Sequence, residues 1–446
     1  MYERYDAFGC DLDVNICEAS LDKAVDDVQS MFLAHYKDKL QVSSITESLD
    51  RLPSDTSAGF PFVSGTKKND ARKHLRAFAA KQWRDLSVKN KFEVVPCLSG
   101  VRNTIRPIGE NKPRLIFAFP GYINVLETQF LDPFMCDPPP FTGWYFNWLD
   151  DGLSYDRYKN LRHGANSWAN VDLKGFDASV LSRLIRLAFS ILRNCMELTD
   201  IEDLMLENLV EYFIHTPLAM YGELRQKHRG IPSGSSFTGL IGTIVNMLSG
   251  FYASHRSDRY SIIPSKCVWL GDDSSLFFDE GMVFEDFEIH YLSYFAELGQ
   301  TVNTVKTVYK ICGLIPSQVS FLGKTFLTTN RAYGIDYDKL DAQAMLPEKS
   351  DKDKFDVASR LIGLAWSYGM DWSAYDRLQT AYDSLHIGEQ SVMPRREVLA
   401  FVRRVLGVDV DLTSFPSFDS IQFRYFGTLL QPVPYYTKWI RFKQWE

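Results

Sequence analysis

The stretch from Val268 to Phe278 constrains this chain more than any other. An apolar run, Val268-Trp269-Leu270, stops at Gly271 and two adjacent carboxylates, Asp272 and Asp273, before a second run ends at Leu276-Phe277-Phe278. That pattern predicts a β-hairpin with the acidic pair at its tip. Two buried strands would bring both carboxylates to the edge of a core, where they are costly unless a cation compensates them. Gly-Asp-Asp alone describes an ordinary tight turn equally well, so the weight must come from the rest of the chain.

A hundred residues upstream, Trp168-Ala169-Asn170-Val171 predicts a short strand ending near Asp172. Asp177 follows at the start of a long amphipathic helix with Val180, Leu181, Leu184, Ile185, Leu187, Ala188, Ile191 and Leu192 on its apolar positions. A helix cap would account for Asp177, whereas Asp172 has no such explanation. Between these acids and the hairpin runs Arg229-Gly230-Ile231-Pro232-Ser233-Gly234-Ser235-Ser236-Phe237-Thr238, leading into a helix through Asn246. Its small residues allow close backbone approach, and Ser233 and Thr238 add hydroxyls that could read a ribose, although helix capping by Ser233 or Ser235 is compatible with the same residues. If the strands of Asp172 and Asp272 pair in one sheet, these two acids and Asp273 form an oxygen-ligand cage. Such a cage suits two Mg²⁺ or Mn²⁺ ions about 3.5–4 Å apart, which activate a 3'-hydroxyl and stabilise leaving pyrophosphate.

The basic residues follow the same logic. Strands at 101–108 and 111–118, joined by a turn, would place Arg102, Arg106, Lys112 and Arg114 together with only Glu110 among them. Charges on a solvated hairpin are usually mixed in sign, so this reads as a clamp for a triphosphate or an RNA backbone. Residues 67–91 carry nine Lys and Arg interleaved with Phe78 and Trp83, which fits a solvated helix face as well as RNA contact. A helix over 285–298 leads through Gly299 to Lys306, placed to protonate pyrophosphate, with Lys310 as competitor. The first 50 residues read as mainly helical, 53–62 as a turn-rich loop, 136–160 as a packed connector and 319–326 as a strand with a turn. Helices are expected at about 354–367, 372–387 and 394–405 in a separate C-terminal subdomain.

Composition narrows the function classes. A formal charge of −7 argues against a uniformly basic nucleic-acid binder while permitting a local basic channel. No apolar run is long enough to span a bilayer, and no signal peptide is legible. The seven cysteines lack metal-ligand spacing and read as reduced, mostly buried thiols of an intracellular protein without a zinc site. No serine, cysteine or histidine pairing suggests a covalent nucleophile, and phosphoryl transfer needs none.

In this order, Asp172-x4-Asp177, Ser233-Gly234-x3-Thr238, Gly271-Asp272-Asp273 and a later lysine resemble motifs A to D of viral RNA-directed RNA polymerases. Residues 102–114 look like motif F, Thr56-Ser57-Ala58-Gly59 like motif G and Phe321-Leu322-Gly323 like motif E. The wording around Gly230–Thr238 and Gly-Asp-Asp-Ser is most similar to the partitivirus and picobirnavirus group of small double-stranded RNA viruses. The resemblance implies an α+β right hand with an antiparallel palm sheet: N-terminal extension and fingers over 1–165, palm over 166–184 and 231–330, a fingers insertion over 185–230, and a thumb over 331–446. It implies Asp172 and Asp272 as principal metal ligands with Asp273 assisting, and Asp177 at the ribose 2'-hydroxyl. It further implies Ser233, Gly234 and Thr238 around the nucleotide, RNA template, nascent RNA and NTPs as partners, and a coat-protein shell. Its setting would be the virion interior and host cytoplasm, without a membrane. Where many relatives carry Asn or Asp this chain has Gly242, and Asn246 one turn on matches a second polar position, which makes it a candidate contact to the nucleotide's ribose. A reverse transcriptase and a non-catalytic RNA-packaging protein are the rivals. The first usually has a bulky residue at the position of Asp177, and the second would favour a more basic tail.

Overall fold

The structure is a computed structural model. It describes residues 5–53, 56–62, 65–102, 114–143, 164–311, 319–321, 324–326, 333–334, 336–347, 350–368, 371–388, 390–395, 398 and 410–426. These fall into two compact units, one holding the described residues up to 143 and those from 169 to 309, the other those from 164 to 168 and from 310 onward.

The first unit begins with α1 (Glu18–His35), α2 (Ile45–Arg51) and α3 (Arg72–Lys89). Strands β1 (Cys97–Arg102) and β2 (Arg114–Ala118) precede α4 (Gly121–Cys136), which is buried along most of its length. After β3 (Ser167–Asn170) come the single turn α5 (Phe176–Ser179), α6 (Ser182–Asn194) and α7 (Asp200–Ile214). In α6, Leu184, Ile185, Ala188, Phe189, Ile191 and Leu192 are buried at helical spacing while Arg183, Arg186 and Arg193 pair with Glu18, Glu211 and Asp203 outside. Helix α7 starts on a reciprocal Thr199–Glu202 cap, which satisfies two otherwise orphaned donors.

Strands β4 (Pro217–Met220) and β5 (Glu223–Gln226) complete a sheet of order β2-β1-β4-β5, antiparallel except for the β1–β4 pair. The centre of the unit is α8 (Thr238–Arg256), in which every residue from Leu240 to Ala253 is buried. It packs against α1, α6 and the hairpin of β6 (Val268–Leu270) and β7 (Asp273–Phe278). With β3 and β8 (Val308–Ile311) this hairpin forms a sheet of order β6-β7-β3-β8. Helix α9 (Phe284–His290) carries Phe287, which stacks on Tyr291 and meets Phe278 edge to face. In the second unit, β9 (Val319–Phe321), β10 (Lys324–Phe326) and β11 (Tyr333–Gly334) form an antiparallel sheet. Helices α10 (Tyr337–Met345), α11 (Lys354–Tyr368), α12 (Trp372–Asp383) and α13 (Phe418–Phe426) follow.

Four expectations change. The long helix expected from Asp177 is two elements, because Val180 and Leu181 turn extended and bury their side chains. The helix over 285–298 breaks at Tyr291, whose φ of −141° leads into a 3₁₀ segment, Leu292–Leu298. Only Gly271 and Asp272 form the hairpin tip, since Asp273 already pairs with Leu270 as the first residue of β7. Among the six described cysteines, Cys97, Cys195 and Cys267 are buried but Cys10 and Cys136 are exposed. Most of the 394–405 helix and of the 136–160 connector lies outside the described residues, as do Leu322 and Gly323.

Candidate active site

The segments that carry the predicted acids adjoin, since β7 and β3 are neighbours in the β6-β7-β3-β8 sheet. Ser275 of β7 donates to the side chain of Asn170 on β3 at 2.9 Å. Asp172 lies two residues beyond Asn170, and Asp273 two residues before Ser275. Asp172 is fixed from one segment: Asn303 donates to its carboxylate at 2.8 Å and to its carbonyl at 2.7 Å, and its own N–H donates to Thr307 at 3.1 Å. Lys306 lies within that 303–307 turn and is exposed, whereas Lys310 belongs to β8, so the two do not share a helix.

Asp177 reports the meeting of three segments. Although solvent reaches it, protein crowds its carboxyl, and this desolvation, with the like charge of Asp272, raises its pKa to about 6 against the opposing pull of Arg114. Asp272 itself is exposed and has no hydrogen-bonding or salt-bridge partner among the described residues. Arg114 opens β2 directly opposite Arg102, both exposed. Like charges across a strand pair repel unless an anion lies between them. Arg106 and Lys112 lie outside the described residues.

The loop before α8 is pinned to its neighbours by backbone approaches that only glycine allows. Gly230, at φ 81°, donates to Val180 O at 2.8 Å, and a Cβ there would stand 2.6 Å from Asp177 O. A Cβ on Gly234 would stand 1.7 Å from Phe117 O. Ser233 is exposed, accepting from Phe117 N–H and donating to Leu115 O, each at 3.3 Å. Thr238 donates to Pro232 O at 2.5 Å.

Beneath this loop sits a residue that sequence reasoning missed. Glu127 is fully buried and accepts from the Ser235 hydroxyl and the Ser236 N–H, each at 2.7 Å, and from Asn124 at 3.2 Å. Burial pushes its pKa up to about 7 despite those donors. A lone acid within Tyr122-Ile123-Asn124-Val125-Leu126-Glu127-Thr128-Gln129-Phe130 was its signal. The reading of Asn246 also changes. It is 2% exposed and donates to Gly271 O at 3.0 Å, so its amide is committed to the hairpin.

The donors on hand for a cation are carboxylate oxygens, the set that suits Mg²⁺ or Mn²⁺ and not zinc. Among the described residues no three His, Cys, Asp or Glu side chains form a ready-made metal cluster. Mg²⁺ sites commonly use one or two protein carboxylates and complete the shell with water and substrate phosphates, so the acids present fit that ion.

Comparison with known proteins gives the family and the fold. Residues 12–346 match the family described as viral RNA-dependent RNA polymerase. The chain is 42% identical to the RNA-directed RNA polymerase of Cryptosporidium parvum virus 1 (strain KSU-1), over 92% of this chain and 84% of that one. It is 25% identical to the genome polyprotein of simian hepatitis A virus over 62% of this chain and 14% of the polyprotein. Two crystal structures of the RNA-dependent RNA polymerase of a human picobirnavirus share its fold. The first has a TM-score of 0.65 at 16% identity, covering 100% of this chain and 83% of that one. An insertion-loop deletion mutant gives 0.63 at 17%, covering 86% and 74%. The fold is therefore the α+β palm-polymerase fold, and the chain belongs to the viral RNA-dependent RNA polymerases, enzymes that synthesise RNA on an RNA template.

Proposed function

We propose that Asp172 and Asp272, with Asp273 assisting, hold two divalent cations, Mg²⁺ or Mn²⁺, at the end of the β6-β7-β3-β8 sheet. When bound, such ions supply a more acidic 3'-hydroxyl and charge neutralisation at the leaving pyrophosphate. The chain's own residues do the rest. Arg114 and Arg102, joined by Arg106 and Lys112, bind the incoming triphosphate by charge-assisted hydrogen bonds. Asp177 accepts from the ribose 2'-hydroxyl, and Ser233, Gly234 and Thr238 shape the pocket around the sugar. Lys306 delivers a proton to the departing pyrophosphate. The observation that carries this reading is the electrostatic meeting of Asp177, Asp272 and Arg114, three residues from three separate segments.

In this reading fingers occupy 1–165 and 185–230, palm 166–184 and 231–330, and thumb 331–446. Template, nascent RNA, NTPs and viral coat protein are the partners, and the setting is the virion interior and host cytoplasm. Among the described residues no helix is long and apolar enough to cross a membrane. The test is RNA-templated incorporation by the purified protein, with NTPs against dNTPs and Mg²⁺ titrated. Equal use of dNTPs, or synthesis that persists in excess chelator, would overturn the assignment.

A further inference from the structure

The turn that presents Asp272 is gripped by a helix. Gly271 has φ 58°, and both of its backbone polar groups end on side chains of α8. Its N–H donates to Thr243 Oγ1 at 2.8 Å, and its carbonyl accepts from Asn246 Nδ2 at 3.0 Å. The Thr243 hydroxyl proton is itself committed to Gly239 O at 2.8 Å, which leaves its oxygen facing Gly271 as an acceptor. Thr243 is 0% exposed, and Asn246 is nearly as deeply buried. Gly242, the residue before Thr243 and one turn before Asn246, faces the same turn: a Cβ there would lie 3.5 Å from Gly271 Cα, an ordinary contact. One turn further on, Gly250 faces the Trp269 indole of β6, which also stacks on Phe251 at 6.0 Å.

A two-residue hairpin tip is ordinarily the most mobile part of its hairpin, because its peptide groups face water. Here the residue before Asp272 has no freedom to rotate without breaking two part-buried hydrogen bonds to buried side chains. The carboxylate next to it has no protein partner of its own among the described residues. Its direction is therefore set through the backbone of Gly271.

We infer that Thr243 and Asn246 act as a two-point clamp on Gly271, as positioning residues that fix the direction of the Asp272 carboxylate. Asn246 thus serves the acidic turn and not the sugar. The inference rests on the proposed role of Asp272 in cation binding. It extends that role by coupling the loop-and-helix element that begins at Ser233 to the acidic hairpin through α8.

The test compares Thr243→Val, which keeps shape and loses the hydroxyl, with Thr243→Ser, which keeps the hydroxyl, and Asn246→Leu, which removes the donor. Thermal melts of each variant accompany the kinetics. The expected result for Thr243→Val and Asn246→Leu is a fall in kcat of about tenfold and a several-fold rise in the Mg²⁺ concentration for half-maximal rate. The KM for NTP should stay within twofold, and Thr243→Ser should restore most of the loss. Amide hydrogen exchange of the peptide spanning Gly271 gives a readout independent of turnover, and should accelerate at least tenfold in Thr243→Val. If Thr243→Val melts and exchanges as wild type does, with unchanged Mg²⁺ dependence, the clamp is refuted. A rise in NTP KM alone for Asn246→Leu would also refute it and return Asn246 to the nucleotide. Asp272→Asn is assayed beside these variants. Should Asp272→Asn remain active, it is the cation-site reading that fails, whatever the clamp variants do. Should it be inactive while the clamp variants behave as wild type, only the clamp fails.

Discussion

Asp177 and Glu127 are both acids pushed upward, to about 6 and about 7, and desolvation is the largest cause for each. What surrounds them differs. Glu127 is met by a hydroxyl, a backbone N–H and an amide, three donors from the protein that satisfy its carboxylate oxygens inside the fold. Asp177 is met by another carboxylate, Asp272, and its compensating charge is the exposed Arg114. The first is a closed arrangement, satisfied within the chain, and it holds a loop. The second is open, with two carboxylates facing one guanidinium among the described residues, the balance that the proposed cation site would require. A raised pKa alone does not mark a catalytic group. The identity of the neighbours separates a loop support from a binding site.

The largest break in this comparison is Asp272→Asn, which keeps the shape and removes one of the opposed charges. Template-directed incorporation should fall by at least about 100-fold, roughly 3 kcal/mol of transition-state stabilisation. The Asp177 carboxyl, followed by NMR titration, should move down towards its ordinary value. Near-normal synthesis at saturating Mg²⁺ by a folded variant would remove Asp272 from the site.

Glu127 should respond in stability before activity. Glu127→Ala leaves the Ser235 hydroxyl and Ser236 N–H buried without their acceptor, at a cost of about 1–3 kcal/mol each. Linkage gives a second handle. With a folded pKa near 7 against 4.5 in the unfolded chain, the native state binds the proton more tightly. That contribution, about 3 kcal/mol, is fully present below the unfolded value and is lost as pH rises through 7. Denaturation midpoints should therefore shift in favour of Glu127→Gln, relative to wild type, between pH 5 and pH 7.5. Parallel pH dependence of the two proteins would show that Glu127 is not the group involved.

A smaller change is expected at Arg114. Arg114→Ala removes the exposed positive charge that opposes the rise at Asp177, and should raise the KM for NTP about tenfold while leaving the melting temperature within a degree or two. Steady-state kinetics with unchanged NTP dependence would return Arg114 to the role of a solvated surface charge.

How much of this was legible from the chain alone depends on the kind of signal. The hairpin at Val268–Phe278, the strand before Asp172 and the helix after Ser233 were readable, because alternating or continuous apolar runs broken by glycine report strands and caps directly. The break after Asp177 was not. Val180 and Leu181 fit an amphipathic helix by period, and only tertiary burial of both side chains made them extended. The supports of the site were the least legible. Asn303 and Thr307 reach Asp172 across more than 130 residues, and Thr243 reaches Gly271 across 28. A hydrogen bond between distant segments leaves no periodicity. Asn246 shows the limit from the other side, since its position in a motif-like order suggested a sugar contact while its amide in fact holds a backbone carbonyl.

The smallest expected effect is at Lys306, and it tests whether the open side of the site includes a proton donor. Lys306 sits in the 303–307 turn, and Asn303 and Thr307 from the same turn hold Asp172. The lysine is thus tethered within one short segment to a proposed cation ligand, while its own side chain stays exposed. A lysine ammonium carries three protons and a positive charge, so it can both attract pyrophosphate and give up a proton. Arginine keeps the charge and is a far poorer donor. Lys306→Arg should therefore slow the chemical step several-fold in single-turnover experiments and leave NTP affinity almost intact. Lys310→Arg, in β8, should match wild type across the pH–rate profile. If Lys306→Arg matches wild type and Lys310→Arg alone loses the basic limb, proton delivery comes from the strand. The turn would then serve only to hold Asp172.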